Sequence, residues 1–199
     1  MAAPVRERRR LAPEARRAQI LEGAFRCFAE RGFHAARMDD LARECGLSKG
    51  SLYWHFDSKE DVFLALFDAL EAEVFAAWEN EAAQADSALR LLQRQGEIAL
   101  DRMAGQRVLM SAWMEFLAHP AARTRMKLTY KRSRARLTEL IERGIAAGEI
   151  RAEVSAADAA VLLTGAVEGL VLQTYVDSEV DALGSWNGAW PILARGLVR

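Results

Sequence analysis

The 199 residues carry 27 Lys and Arg against 28 Asp and Glu, a formal net charge of -1, and 51% of the chain is hydrophobic. The length suffices for one large or two small domains with a buried core. Charge interrupts the apolar residues throughout, so no run of the roughly 18 to 20 apolar residues that spans a bilayer is expected. Nor does an apolar stretch of the kind a secretory signal needs follow the arginines of Met1 to Arg10. These features predict a globular, cytoplasmic protein without a membrane partner. Cys27 and Cys45 form no CxxC pair, which argues against a zinc site or a disulfide framework and makes both small core residues. Residues 1–60 hold 12 Lys and Arg against 9 Asp and Glu, and the remainder 15 against 19, a modest basic bias toward one end.

Ala, Leu, Glu and Arg dominate and period-two alternation is absent, so the chain reads as all-α, with about nine helices. An arginine-rich arm, residues 1–12, is expected to be disordered. The first helix is predicted from Pro13 to Arg31, with Leu21, Ala24, Phe25 and Phe28 on one stripe and Gly32 as its C-terminal cap. Two short helices follow, Asp39 to Cys45 and Lys49 to His55. Gly46 supplies the backbone angle of the turn between them, and Ser48 caps the second.

A fourth helix opens after Ser58, whose hydroxyl is placed to cap it, and its apolar spacing runs on to Trp78. Further helices are predicted at about 87–103, 106–118 and 120–147, with His119 a helix-start residue before Pro120. Ser155 caps one reaching Val176 that is apolar on nearly every side and must be buried on two faces. The stretch from Asp181 to Arg199 reads as a weaker helix, kinked or started at Pro191.

Residues Gly32 to Leu66 read GFHAARMDDLARECGLSKGSLYWHFDSKEDVFLAL. This segment resembles the tetracycline-repressor (TetR) family of transcription regulators, and the likeness covers Arg16 to about Leu66. The resemblance implies an N-terminal three-helix helix-turn-helix DNA-binding domain, residues 13–57. It also implies a C-terminal helical ligand-binding and dimerisation domain, residues 58–199. On its own the residue pattern agrees. Leu41, Ala42 and Cys45 anchor the first of the short helices, and Leu52 and Phe56 lock the second. Donors at Lys49, Ser51, Tyr53, Trp54 and His55 lie on a rod narrow enough for a major groove.

By resemblance, Ser48, Lys49, Gly50 and Ser51 lie at base edges or the adjacent backbone, Tyr53 and His55 bond phosphates, and Lys59 grips another phosphate. Gly50, lacking a side chain, allows close approach to the groove floor. Arg37 stands where the family commonly has a capping threonine. It either reaches phosphate itself or stays solvated. Trp54 either touches DNA or shields the base of its helix. The arm arginines are open to the same two readings.

The family also implies a homodimer on a palindromic double-stranded operator, with recognition helices about 34 Å apart. Its last two helices supply the dimer interface, here Val161, Gly165, Gly169, Val176, Trp190, Leu193 and Leu197. It further implies an inducer pocket for an apolar or aromatic small-molecule effector whose binding relieves repression. Phe75, Trp78, Met103, Met110, Trp113, Met114 and Phe116 are the bulky candidates to line it. Seven basic residues and no acid fall between Arg123 and Arg136. They form either a solvated face or, through Tyr130 and Arg134, a place for an anionic effector. There is no GxSxG elbow and no phosphate-binding glycine loop, and His34, His55 and His119 form no i, i+4 metal pair. The sequence therefore suggests no enzyme, no metal and no cofactor.

Overall fold

A computed structural model describes residues 12–83, 85–104 and 107–198. The arm, apart from Ala12, and residues 84, 105, 106 and 199 lie outside the described residues. Among those described there are nine helices and no strand: α1 (Pro13–Ala35), α2 (Met38–Glu44), α3 (Lys49–Tyr53), α4 (Lys59–Ala82), α5 (Ala88–Ala104), α6 (Arg107–Phe116), α7 (Pro120–Ala146), α8 (Ala156–Val176) and α9 (Ala182–Leu197).

Local signals set most of these boundaries. Gly32, at φ 74°, breaks the regular helix of α1, so Phe33 turns inward into the core. Gly46, at φ 65°, closes α2. There the Leu47 amide donates to the Ala42 carbonyl at 2.8 Å and the Gly46 amide to Arg43 at 3.0 Å, the paired bonds of a glycine-terminated helix. Ser48, Ser58, Ser155 and Asp181 each accept an amide N–H at the start of α3, α4, α8 and α9. Pro191 neither starts nor divides α9, contrary to expectation. The Asp181 cap and the buried Trp186, Trp190 and Leu197 on one face hold the helix as a single segment through it.

Two apolar cores share the molecule. The first joins α1, α2 and α3 to the start of α4, to α6 and to Ala122 of α7, centred on Phe28, Phe33, Leu41, Leu52, Phe63 and Phe116. It therefore extends beyond residue 57. Cys27 and Cys45 are buried free thiols within it, and burial pushes each up to about 11. The second core packs α5, α7, α8 and α9 around Leu91, Leu100, Ile141, Leu163 and Trp186.

Gly96 of α5 is where the Trp186 ring crosses, and a methyl group there would overlap the indole. Gly96→Ala is expected to destabilise the fold by about 1–3 kcal/mol through overpacking, read as a lower midpoint in urea at an unchanged slope.

The basic run on α7 is not simply solvated. Arg125 pairs with Asp68 and Glu71, Arg132 with Glu71 at 3.5 Å and Arg136 with Glu79 at 3.5 Å, which ties α7 to α4. α8 also departs from expectation. Its 21 residues are long and apolar enough to cross a membrane by length and composition, although the sequence reading found no such run. Its inner face packs on the second core through Ala160, Leu163 and Val171, while Val161, Leu162, Leu172 and Val176 stand exposed.

Candidate DNA-binding surface and effector cavity

The helix-turn-helix is assembled from side chains of α1 that reach the end of α2. Gln19 Nε2 donates to the Cys45 carbonyl at 2.7 Å, Arg26 to the Glu44 carbonyl at 3.1 Å, and Cys45 Sγ to the Ile20 carbonyl at 3.3 Å. A Cβ on Gly23 would fall 2.8 Å from the Cys45 backbone, so α1 and α2 touch at a position only glycine permits. Arg37 is the N-cap of α2. The cap is not wholly lost, because Asp40 Oδ2 accepts the Arg37 N–H at 3.2 Å, which leaves the Arg37 side chain exposed. Partial desolvation pushes the Asp40 carboxyl up, but Arg31, Arg43 and that N–H together outweigh it and hold the group below its usual range.

α3 is a five-residue rod capped by Ser48, whose Oγ accepts the Ser51 amide at 3.2 Å. Leu52 is fully buried beneath it, and Phe56 packs against the same core. The opposite face is open: Lys49, Gly50 and Ser51 are exposed, and nothing lies within 4 Å of a Cβ built on Gly50. Tyr53 is 43% and Trp54 82% exposed, so Trp54 does not shield the helix base. His55, half-buried, meets the Trp54 ring edge-on at 4.9 Å. Lys49 is paired with Asp39 at 2.8 Å, and that hydrogen bond raises the lysine above its ordinary range.

Lys59 sits differently from expectation. Its ammonium points inward and donates to the carbonyls of Phe33, His34 and Ala36 at 2.8, 3.0 and 3.1 Å, over the face of the Phe33 ring. Across the same corner, Glu115 of α6 accepts the His34 amide at 2.8 Å. The link between α1 and α2 is thus gripped by α4 from one side and α6 from the other.

Behind this corner lies a cavity of about 380 Å³ walled by α4, α5, α6, α7 and α8, with Trp186 from α9. Phe75, Trp78, Met103, Met110, Trp113 and Tyr130 line it. Phe67 and Trp113 stack at 4.3 Å, and Phe75 meets Trp78 edge-on at 5.1 Å. Three expected residues do not line it. Met114 points to solvent, and Phe116 is buried among Phe33, Phe63 and His119 as the joint between the cores. Arg134 lies over the Tyr130 ring at 5.9 Å rather than in the wall.

Of the residues assigned to a partner-facing surface, Val161, Gly165 and Val176 are exposed and Gly169 and Leu193 half-buried. Trp190 and Leu197 are instead buried within their own chain.

The sequence profile of bacterial regulatory proteins of the tetR family matches residues 20–66, and that of the C-terminal region of BetI-type transcriptional repressors matches residues 88–184. The HTH-type transcriptional regulator TtgR of Pseudomonas putida is 30% identical over 183 residues, covering 84% of each chain. The chain belongs to the TetR family of bacterial regulatory proteins. It is thus a DNA-binding transcriptional regulator rather than an enzyme.

The HTH-type transcriptional repressor AcnR of Corynebacterium diphtheriae is 51% identical over 51 residues, 26% of this chain and 27% of that one. The chain spans only about a quarter of the length of several curated relatives it matches. Among solved structures, the transcriptional regulator FadR from Bacillus subtilis in complex with stearoyl-CoA superposes with a TM-score of 0.77 at 20% identity. That likeness covers 90% of this chain and 98% of that one, and it bears on the fold alone.

Sequence reasoning missed several cavity residues of this TetR-family chain, among them Phe67, Gln95, Gly96, Thr164, Glu168 and Trp186. Gln95 and Glu168 carried a usable signal, each being a polar side chain on an otherwise apolar helical stripe. On the exposed face it missed Leu183, while Leu162, Leu172, Tyr175 and Ile192 stand open beside the residues assigned there.

Proposed function

We propose that the protein is a cytoplasmic, dimeric repressor that reads a palindromic operator with two copies of the 13–57 unit. In this reading residues 58–199 form the scaffold, and an apolar or aromatic small molecule in the cavity releases the DNA. The observation that carries it is the geometry of α3: a serine-capped rod, locked from beneath by Leu52, with Lys49, Gly50, Ser51, Tyr53 and Trp54 exposed on its outer face. Lys49 and Ser51 are the base-edge candidates, and Tyr53, His55 and Arg37 the phosphate candidates. Ser48 serves mainly as the cap that aims them. Lys59, its ammonium already committed, contributes through its backbone amide at the start of α4.

One such unit touches too few bases for useful affinity, and two-fold pairing supplies the rest. The partner surface is the exposed stripe of α8 with Leu183 and Ile192 of α9. Gly165 and Gly169 leave open space there for a helix of the second copy. Covering this stripe also accounts for the membrane-like composition of α8 in a DNA-binding protein.

In vitro selection of bound duplexes tests the proposal, which expects an inverted repeat with half-sites about one duplex turn apart. Tyr53→Ala is expected to weaken a mobility shift on the selected duplex by about tenfold or more without lowering the melting temperature. A shift unaffected by Tyr53→Ala removes this residue from the interface. Failure to select any duplex at low salt defeats the proposal as a whole.

A further inference from the structure

The cavity is apolar but not indifferent to the chemistry of what fills it. Gln95 is 2% exposed, and its side-chain Oε1 has no hydrogen-bond partner within the protein. Glu71 is also buried. Arg125 and Arg132 occupy its Oε2, while Oε1 is likewise unpartnered. A buried acceptor without a donor is costly, and here two such atoms belong to residues of one cavity wall.

Several nearby donors are already used. The Trp78 indole N–H donates to the Gln95 carbonyl at 2.9 Å, and the Trp186 indole to the Gln93 carbonyl at 3.0 Å. Thr164 Oγ1 donates to the Ala160 carbonyl at 2.8 Å, and Arg125 is held by Asp68, Glu71 and Thr129. A third acceptor, the half-buried carboxyl of Glu168, faces the Tyr130 hydroxyl from α8. Burial pushes that carboxyl up, and the Tyr130 hydrogen bond and the Arg134 charge only partly offset it. No guanidinium or ammonium forms an ion pair with it among the described residues.

The remaining wall brings Glu73, Asp101 and Arg102 and is otherwise mostly apolar, with the stacked Phe67 and Trp113 and the Phe75 and Trp78 pair among its rings. Ring faces carry negative potential and attract cations. Four carboxyl side chains, Glu71, Glu73, Asp101 and Glu168, stand among the described lining residues against one cation, Arg102, and with the orphaned amide oxygen and the rings they leave the wall richer in acceptors than in donors.

We infer that the effector is an aromatic organic cation that donates hydrogen bonds, with its ammonium seated against Glu168 and its rings against the aromatic side chains of the wall. The inference rests on the reading of this cavity as the effector site and adds the chemistry of the occupant. An anionic effector, one of the options the sequence left open through Tyr130 and Arg134, is disfavoured. It would meet carboxylates and ring faces, Arg134 lies outside the wall, and Arg102, the cation among the lining residues, is half exposed and faces Glu73 at 3.9 Å.

Three probes with one ring system test it: naphthylmethylammonium, naphthylmethanol and naphthoate, titrated into the full-length protein while tryptophan fluorescence is followed. The ammonium is expected to bind at least about tenfold more tightly than the carboxylate, with the alcohol between. Glu168→Gln should remove most of the ammonium's advantage and leave the alcohol's affinity nearly unchanged, and a thermal melt checks the fold of the variant. Equal or tighter binding of naphthoate overturns the inference, and so does an ammonium affinity that Glu168→Gln does not move. If naphthoate binds and Trp113→Ala abolishes its quenching, the cavity remains an effector site and only the cationic assignment falls. If none of the three quenches, both fall together.

Discussion

Leu162→Glu combined with Ile192→Glu is expected to give a folded monomer whose affinity for a two-half-site duplex is about a hundredfold or more below that of the parent. Both side chains are apolar and open, at 64% and 73% exposure, and neither contributes to the two buried cores. The fold therefore loses little when they change. Covering a side chain of this size stabilises an interface by about 1.5–3 kcal/mol. In a two-fold contact each substitution acts twice, and every new carboxylate must be buried or faced by its symmetry mate. Analytical ultracentrifugation reads the change in mass and a mobility shift reads the operator. A double variant that stays dimeric with full operator affinity would place the interface elsewhere.

Phe116→Ala should act in the opposite sense, on the fold itself, lowering stability by about 3–5 kcal/mol. Its ring is fully buried and lies 4.7 Å from Phe33, 4.9 Å from Phe63 and 6.1 Å from Trp113, so it touches α1, α4 and the cavity wall at once. Truncation leaves a void at the joint between the reading head and the helices behind it. Hydrogen exchange should show the lost protection concentrated in α1 to α3 and much less in α8 and α9. A uniform loss across the chain would mean that the two cores unfold only as one. The residue had been read as cavity lining, and its true place makes it a mechanical part.

That reassignment shows where sequence stops being informative. Gly46, Ser48 and Ser58 announce their roles through backbone chemistry within a few residues, and α2, α3 and the start of α4 were legible for that reason. Spacing along α6 correctly grouped Met110 and Trp113. It could not tell that Phe116, one turn on, passes the end of the cavity and meets Phe33, or that Met114 faces water. α8 poses the same problem more sharply. A helix apolar all round declares two buried faces but not which neighbour takes each, so nothing in the sequence showed that Leu163, Thr164, Val167 and Glu168 line the cavity. Trp190 and Leu197 were misassigned likewise, since which side of α9 meets α5 is decided by packing at Gly96. Lys59 had a plausible phosphate to reach, and only three-dimensional structure reveals three carbonyls closer at hand.

The double grip on the corner at Phe33 to Ala36 has one more outcome. Lys59 holds its carbonyls and Glu115 holds an amide, so a shift of α4 alone pulls against one anchor, and a shift of α6 alone against the other. Tilting either helix away from this corner leaves a charged group without its partner, so α4, α6 and the corner are expected to move as one unit.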